Sequence, residues 1–207
     1  MTATPTRTLS IIVCGAGPAR DVGALVTLAQ AAGWCTYLTA TPAGLPFLDG
    51  PALEQQTGYP VRHAHRAPGE PRRSRPHADA VIVAPATANT ICKLASGIAD
   101  TYALDILSEC IGAGVPVIVL PFINTALAAR RPLRLAVEDL RAEGIQVLLG
   151  AGGFEPHQPG SGDEQITAFG WGLALDAAEQ AWATTHPADC GIEQQVHQHN
   201  RFPGVLR

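Results

Sequence analysis

Ala80-Val-Ile-Val-Ala-Pro-Ala-Thr-Ala-Asn-Thr90 changes character at its middle. The first half, Ala80 to Ala84, is a short continuous apolar run with three β-branched residues, which reads as a strand buried on both faces. The second half, Pro85 to Thr90, carries no charge and only small side chains. Small residues at a buried strand's end do not fill a core; they let something come close. Thr87 or Asn89 can equally cap the helix that follows.

Outward from this stretch, strand and helix signals alternate. Thr8 to Cys14 reads as a buried strand, Gly15-Ala16-Gly17-Pro18 as a turn, and Asp21 to Ala32 as a helix. In that helix Val22, Leu25, Val26, Leu28, Ala29 and Ala32 recur at helical spacing, and Gly33 ends it. Strands are expected at Cys35 to Thr39, Pro116 to Leu120 and Ile145 to Leu149. Helices are expected from about Asn89 to Ala113, from Pro132 to Ala142 with Leu133, Leu135, Ala136 and Leu140 inward, and from Gly170 to Thr184. Short apolar strands alternating with amphipathic helices make βαβ units, hence a parallel sheet with helices on both faces. The reading is an α/β fold: a three-layer, doubly wound parallel sheet of Rossmann-like or flavodoxin-like type. Residues 1–184 form one domain. Residues 60–76 form a Pro-, Arg- and His-rich loop, and 185–207 a tail or an arm onto a neighbouring subunit.

Composition narrows the class. A chain of 207 residues, 46% of them apolar, can build a full core. No apolar run approaches the ~20 residues of a membrane helix, and Met1 to Arg7 resembles no signal peptide, so no membrane partner and a cytoplasmic location are expected. A net charge of −4 argues against nucleic acid. Cys14, Cys35, Cys92, Cys110 and Cys190 form no CxxC pair, so neither a metal site nor a disulfide framework is expected.

In open parallel sheets ligands bind beyond the carboxyl ends of the strands. The expected ends are Gly15-Ala16-Gly17, Thr39-Ala-Thr41-Pro42, Pro85 to Thr90, and Pro121-Phe-Ile-Asn124-Thr125. The first turn lacks the third glycine of a dinucleotide fingerprint, and no acidic residue ends the second strand, so NAD is disfavoured. Hydroxyls, amides and backbone N–H groups at helix starts suit a phosphate monoester. With flat, small surroundings they suit a mononucleotide-like cofactor carrying a planar ring.

These segments resemble the homo-oligomeric flavin-containing cysteine decarboxylases, the family of phosphopantothenoylcysteine decarboxylase and the lantibiotic-type peptidyl-cysteine decarboxylases. Pro85-Ala-Thr-Ala-Asn-Thr90 followed by Lys93-Leu-Ala-Ser-Gly-Ile-Ala-Asp100 is similar to the family's PASANT motif and its continuation. The spacing of Gly15, Gly33, Thr41-Pro42-Ala43 and Phe47 is similar to its first βαβ unit, and Pro121-Phe-Ile-Asn124 to a later P-x-M-N segment. The resemblance spans about residues 9–167. It implies FMN held between subunits of a trimer, in some members within a dodecamer, and a small-molecule or peptide substrate. Carried over, Gly15, Ala16, Gly17, Thr39 and Thr41 would hold the phosphate and ribityl chain. Phe47 would pack near the ring. Pro85, Thr87, Ala88, Asn89 and Thr90 would line the cofactor, with Asn89 and Asn124 facing substrate. The implied reaction oxidises a cysteine side chain to a thioaldehyde, which loses CO2 to give an enethiol.

The chain also departs from the family. The family's basic histidine falls on Pro71, leaving His65 and His77 as candidate catalytic substitutes, with His63 also nearby. Met-Trp is missing after Asn124. Leu149 to Phe154 holds no cysteine to reduce an enethiol, so release without reduction is expected. Gly160-Ser-Gly162-Asp-Glu164 is similar to the family's substrate-covering loop. The alternatives are a flavin-binding carrier, sensor or regulatory subunit without decarboxylase activity, and a prenylated-flavin synthase, for which Arg72, Arg73 and Arg75 would have to bind an alkyl phosphate. Trp171 and Trp182 are candidates for subunit contacts.

Overall fold

The computed structural model describes residues 7–69 and 76–186. Five parallel strands lie in the order β2-β1-β3-β4-β5: β1 Arg7–Val13, β2 Trp34–Ala40, β3 Ala80–Ala86, β4 Val117–Pro121 and β5 Gln146–Val147. The helices are α1 Gly23–Ala31, α2 Gly50–Thr57, α3 Ala88–Ala95, α4 Tyr102–Gly112, α5 Thr125–Ala128, α6 Arg131–Ala142, α7 Gly162–Ile166 and α8 Trp171–Thr185. The doubly wound reading therefore holds, in its flavodoxin-like order.

The continuous apolar strands are explained by burial on both faces. Ala80, Ile82 and Ala84 of β3 face one core with Leu9, Ile11 and Val13 of β1, packed under α1 and α8. Val81, Val83 and Ala86 face a second core under α3, α4 and α6. None of the helices among the described residues is long and apolar enough to cross a membrane.

Several elements differ from expectation. The helix expected from Asn89 to Ala113 is two. Gly97, at φ +67°, ends α3 with its N–H on Leu94 O, while the Ile98 N–H reaches Lys93 O. This left-handed cap closes the helix and releases the chain. The Thr101 hydroxyl then accepts from Leu104 N–H and starts α4. Lys93 pairs with Asp100 across the turn. Helix α2 was unanticipated because only Leu53 of its eight residues is buried. In α6 the inward residue is Val137, not Leu135, and Leu28 of α1 is also exposed. The loop after α2 is not wholly free of pairing: Arg62 bridges to Thr39 at the outer edge of β2.

Trp171 and Trp182 are core residues rather than surface contacts. Trp171 packs edge-on to Phe169, with ring centroids 4.8 Å apart. Trp182 meets Trp34 edge-on at 6.1 Å, and the Arg7 guanidinium sits 4.6 and 4.8 Å from the two ring centroids. The expected arm beyond His186, Cys190 and the Arg72, Arg73 and Arg75 cluster lie outside the described residues.

Candidate functional site

Strand order reverses between β1 and β3, because β1 leads outward to β2 while β3 leads the other way to β4. A crevice forms beyond the carboxyl ends of strands at such a switch point. The β1 end, Cys14 to Gly17, lies beside the β3 end, with Cys14 N–H donating to Pro85 O at 3.1 Å. The β3 end lies beside the β4 end, with Phe122 N–H donating to Ala86 O at 2.9 Å. Three of the four expected segments thus meet at one place.

The fourth, after β2, is locked to the first by backbone contact. Thr41 N–H and Oγ both donate to Val13 O, at 2.9 and 3.3 Å, and Thr41 Oγ accepts from Gly44 N–H at 3.1 Å. A Cβ on Gly15 would stand 2.4 Å from Ala43 O, and one on Gly44 would stand 2.4 Å from Val13 O. The two turns can approach this closely only because both residues are glycine. Thr41 is nearly buried, Thr39 is fully buried within β2, and Phe47 is exposed at the rim.

The helix start after β3 is built as a cap. Thr87 Oγ accepts from Thr90 N–H at 3.3 Å and lies 3.1 Å from Thr90 Oγ. Beneath it the Cys14 thiol is buried, and burial pushes its pKa up despite a hydrogen bond with Thr90. The N–H groups of Gly15, Gly17, Ala88 and Asn89 have no hydrogen-bond partner among the described residues. Asn89 is exposed and its amide is likewise free. None of the four segments holds a charged residue. Unpaired N–H groups at a turn and at a helix start form an anion seat, and exposed Phe47 offers a ring to stack against. The donor set fits a flavin mononucleotide.

At the β4 end, Asn124 Oδ1 accepts from Leu127 N–H at 2.9 Å and caps α5, which leaves its amide NH2 free. Asn124 also bridges to His157, whose carbonyl accepts from Thr125 N–H at 2.8 Å. The segment from Phe154 to Ile166 then crosses above the strand ends. A Cβ on Gly17 would meet Ile166 Cδ1 at 2.8 Å, so α7 closes over the first turn. Phe122, Phe154, His157 and Phe169 cluster there, with Phe122–His157 centroids at 5.0 Å.

The expected histidines are not brought to this cluster. His77 precedes β3 and so lies at the opposite end of the sheet, one strand length, roughly 20 Å, away. Exposed His65 is held against α4, 3.5 Å from Asp105 and edge-on to Tyr102. His157, which the sequence reading did not single out, is the histidine that adjoins Asn124.

A family model described as Flavoprotein matches residues 56–168. The chain is 30% identical over 164 residues to the coenzyme A biosynthesis bifunctional protein CoaBC of Escherichia coli strain K12, covering 76% of this chain and 34% of that one. It is 36% identical over 83 residues to an uncharacterized protein of Methanocaldococcus jannaschii, covering 37% and 45%. It therefore spans less than half the length of these curated relatives. Its fold is similar to that of the FMN-dependent cysteine decarboxylase TvaF from thioviridamide biosynthesis, with a TM-score of 0.60 and 26% identity over 84% of this chain and 98% of that one. The cypemycin decarboxylase CypD, at 19% identity, shares the fold with a TM-score of 0.67 over 88% and 97%.

Proposed function

This chain belongs to the flavoprotein family, and we propose that it binds FMN at the β1/β3 switch point and decarboxylates a cysteine-type carboxylate, releasing an enethiol. The observation that carries the reading is the convergence of three uncharged strand ends, rich in unpaired N–H groups, where the strand order reverses. Gly15 and Gly17 would hold the phosphate on backbone N–H groups, beside the start of α3. Thr41 would border the ribityl chain, although its hydroxyl already ties the two turns together, whereas Thr39 is buried within β2 and would act only by supporting that turn. Phe47 would flank the ring. Ala16, Pro85, Thr87, Ala88 and Thr90 would form the flat wall, and Asn89 and Asn124 would turn their free amides to the substrate carboxylate. When bound, FMN supplies a two-electron oxidant, while the protein supplies position and electrostatics.

A C-terminal cysteine of a peptide suits the site better than phosphopantothenoylcysteine. No cysteine belongs to the segment that crosses it, so nothing there would reduce the enethiol. A trimeric assembly belongs to the same proposal.

The test begins with the protein's visible spectrum and the mass of the pigment released on denaturation. Turnover of cysteine-ended peptides is then followed by mass: an enethiol released without reduction is lighter by about 46 Da, the CO2 and the two hydrogens passed to the oxidant, whereas a reduced product would be lighter by only about 44 Da. Asn124→Asp keeps the oxygen that caps α5 but sets a second negative charge against the substrate carboxylate. It should abolish turnover and leave FMN bound. Colourless protein that takes up no added FMN refutes the reading. FMN uptake with no turnover of any cysteine-ended peptide leaves a flavin-binding protein without this activity.

A further inference from the structure

We propose that His157 is the catalytic proton acceptor of this site, taking the thiol proton of the substrate on Nε2. The inference rests on the function proposed above.

Four observations carry it. The first is position: the His157 backbone bridges to Asn124 at the end of β4, and its ring lies 5.0 Å from that of Phe122, two residues before Asn124. The second is orientation. The ring lies 2.9 Å by Nδ1 from Gln158 O, and a carbonyl can only accept, so Nδ1 carries the hydrogen. In the neutral ring Nε2 is then the free lone pair. The third is surroundings. Phe122 and Phe154 flank the ring at 5.0 and 6.3 Å, and its Cε1–Nε2 edge faces Gly162, where even a methyl carbon would come within 3.2 Å of Cε1 and 3.4 Å of Nε2. Nε2 has no hydrogen-bond partner among the described residues, and a half-buried polar atom among aromatic rings gains by acquiring one. The fourth is economy of roles. The segment is already anchored through the His157 backbone carbonyl on Thr125 N–H, so holding the segment does not require the ring nitrogen.

The step balances. Nε2 would take the thiol proton, while FMN, when bound, would supply the two-electron oxidation that removes the Cβ hydrogen with its electron pair and makes the carbon–sulfur bond double. The carboxylate then leaves as CO2. Its bonding electrons form the Cα–Cβ double bond, the carbon–sulfur pair returns to sulfur, and Nε2 gives back its proton to make the enethiol. Within one chain His65 is held on α4 and His77 lies at the far end of the sheet, so His157 is the histidine that adjoins this chain's own crevice.

Two measurements test the inference. His157→Asn keeps a donor for Gln158 O and loses the distal nitrogen. His157→Gln keeps a distal polar group without its basicity. Both variants should bind FMN as the unaltered protein does, yet fall by about 10²–10⁴ in the rate of flavin reduction by a cysteine-ended peptide, the usual share of general-base catalysis. The second readout needs no turnover. Carbethoxylation by diethylpyrocarbonate, read by peptide mass spectrometry, should be slowed at His157 by a short peptide ending in serine, at a concentration that saturates inhibition. His77 should react at an unchanged rate. FMN-loaded His157→Asn that reduces within threefold of the unaltered protein overturns the inference, as does carbethoxylation of His157 that the peptide leaves unchanged. Unaltered protein that takes up no FMN, or turns over no cysteine-ended peptide, instead overturns the underlying function.

Discussion

Replacing Gly15 by alanine puts a methyl carbon 2.4 Å from Ala43 O, 2.8 Å from Ala43 C and 3.0 Å from Ala43 Cβ. Backbone cannot rotate away as a long side chain can. Reaching even 3.0 Å needs a separation of about 0.6 Å between the β1 and β2 turns. That movement pulls on Thr41, whose N–H and hydroxyl both rest on Val13 O. Overpacking of this kind costs about 2 kcal/mol. For a domain of this length each kcal/mol lowers the melting temperature by about 3 °C, so a fall of about 6 °C is expected. The control is Gly50→Ala, where nothing lies within 4 Å and the backbone is ordinary. It should move the melt by no more than about 1.5 °C, as surface substitutions do. Thermal unfolding by circular dichroism reads both, and FMN titration of the folded variant reads displacement of the phosphate seat as weaker binding. A Gly15→Ala melt indistinguishable from that of Gly50→Ala refutes the interlock.

Three other perturbations follow from the same geometry. Thr87→Ala removes the cap on Thr90 N–H and should cost about 1 kcal/mol by urea unfolding, while Thr87→Ser should restore most of it. Arg7→Met loses a guanidinium held between Trp34 and Trp182, its hydrogen bond to Ala32 O and its ion pair with Glu179, so a loss of about 1–2 kcal/mol and a changed tryptophan emission are expected; unchanged emission would contradict the sandwich. Burial raises the thiol pKa of Cys14, and also of Cys110, above the ordinary 9.0. The unfolded chain therefore releases these protons first, so the associated stability is complete below pH 9.0 and declines as pH rises through the folded-state values. Melts taken across that range should show the decline, and Cys14→Ala should reduce it.

The strands were legible because burial on both faces leaves an uninterrupted apolar run, and β1 and β3 have one each. β5 was read as five residues but pairs over only two, since an edge strand has a neighbour on one side alone. The site was legible as four small, uncharged strand ends, because doubly wound sheets bind ligands at their carboxyl ends. Their interlock was not, since the contact of Gly15 with Ala43 joins residues far apart in sequence. The histidines were the hardest to place. The cluster around His65 and His77 draws the eye by composition, yet a residue before β3 belongs to the wrong end of the sheet. His157 carried a usable signal in its place shortly after the last strand, on the side of the sheet where ligands bind.

The backbone contacts at the site also divide its rim for protein engineering. Gly15 and Gly44 each press on the other's turn, and a Cβ on Gly153 would stand 2.4 Å from Leu148 C. Any substitution at these three adds a Cβ at such a contact, so every member of a mutant library that varies them would start destabilised. Exposed Ala126, Leu127, Gln158 and Pro159 meet no such constraint, while Gly160, at φ +87°, is best kept as glycine. Retargeting the protein to a new carboxylate would therefore begin from the β4 and α7 sides of the crevice, with the β1–β2 joint left untouched as the frame.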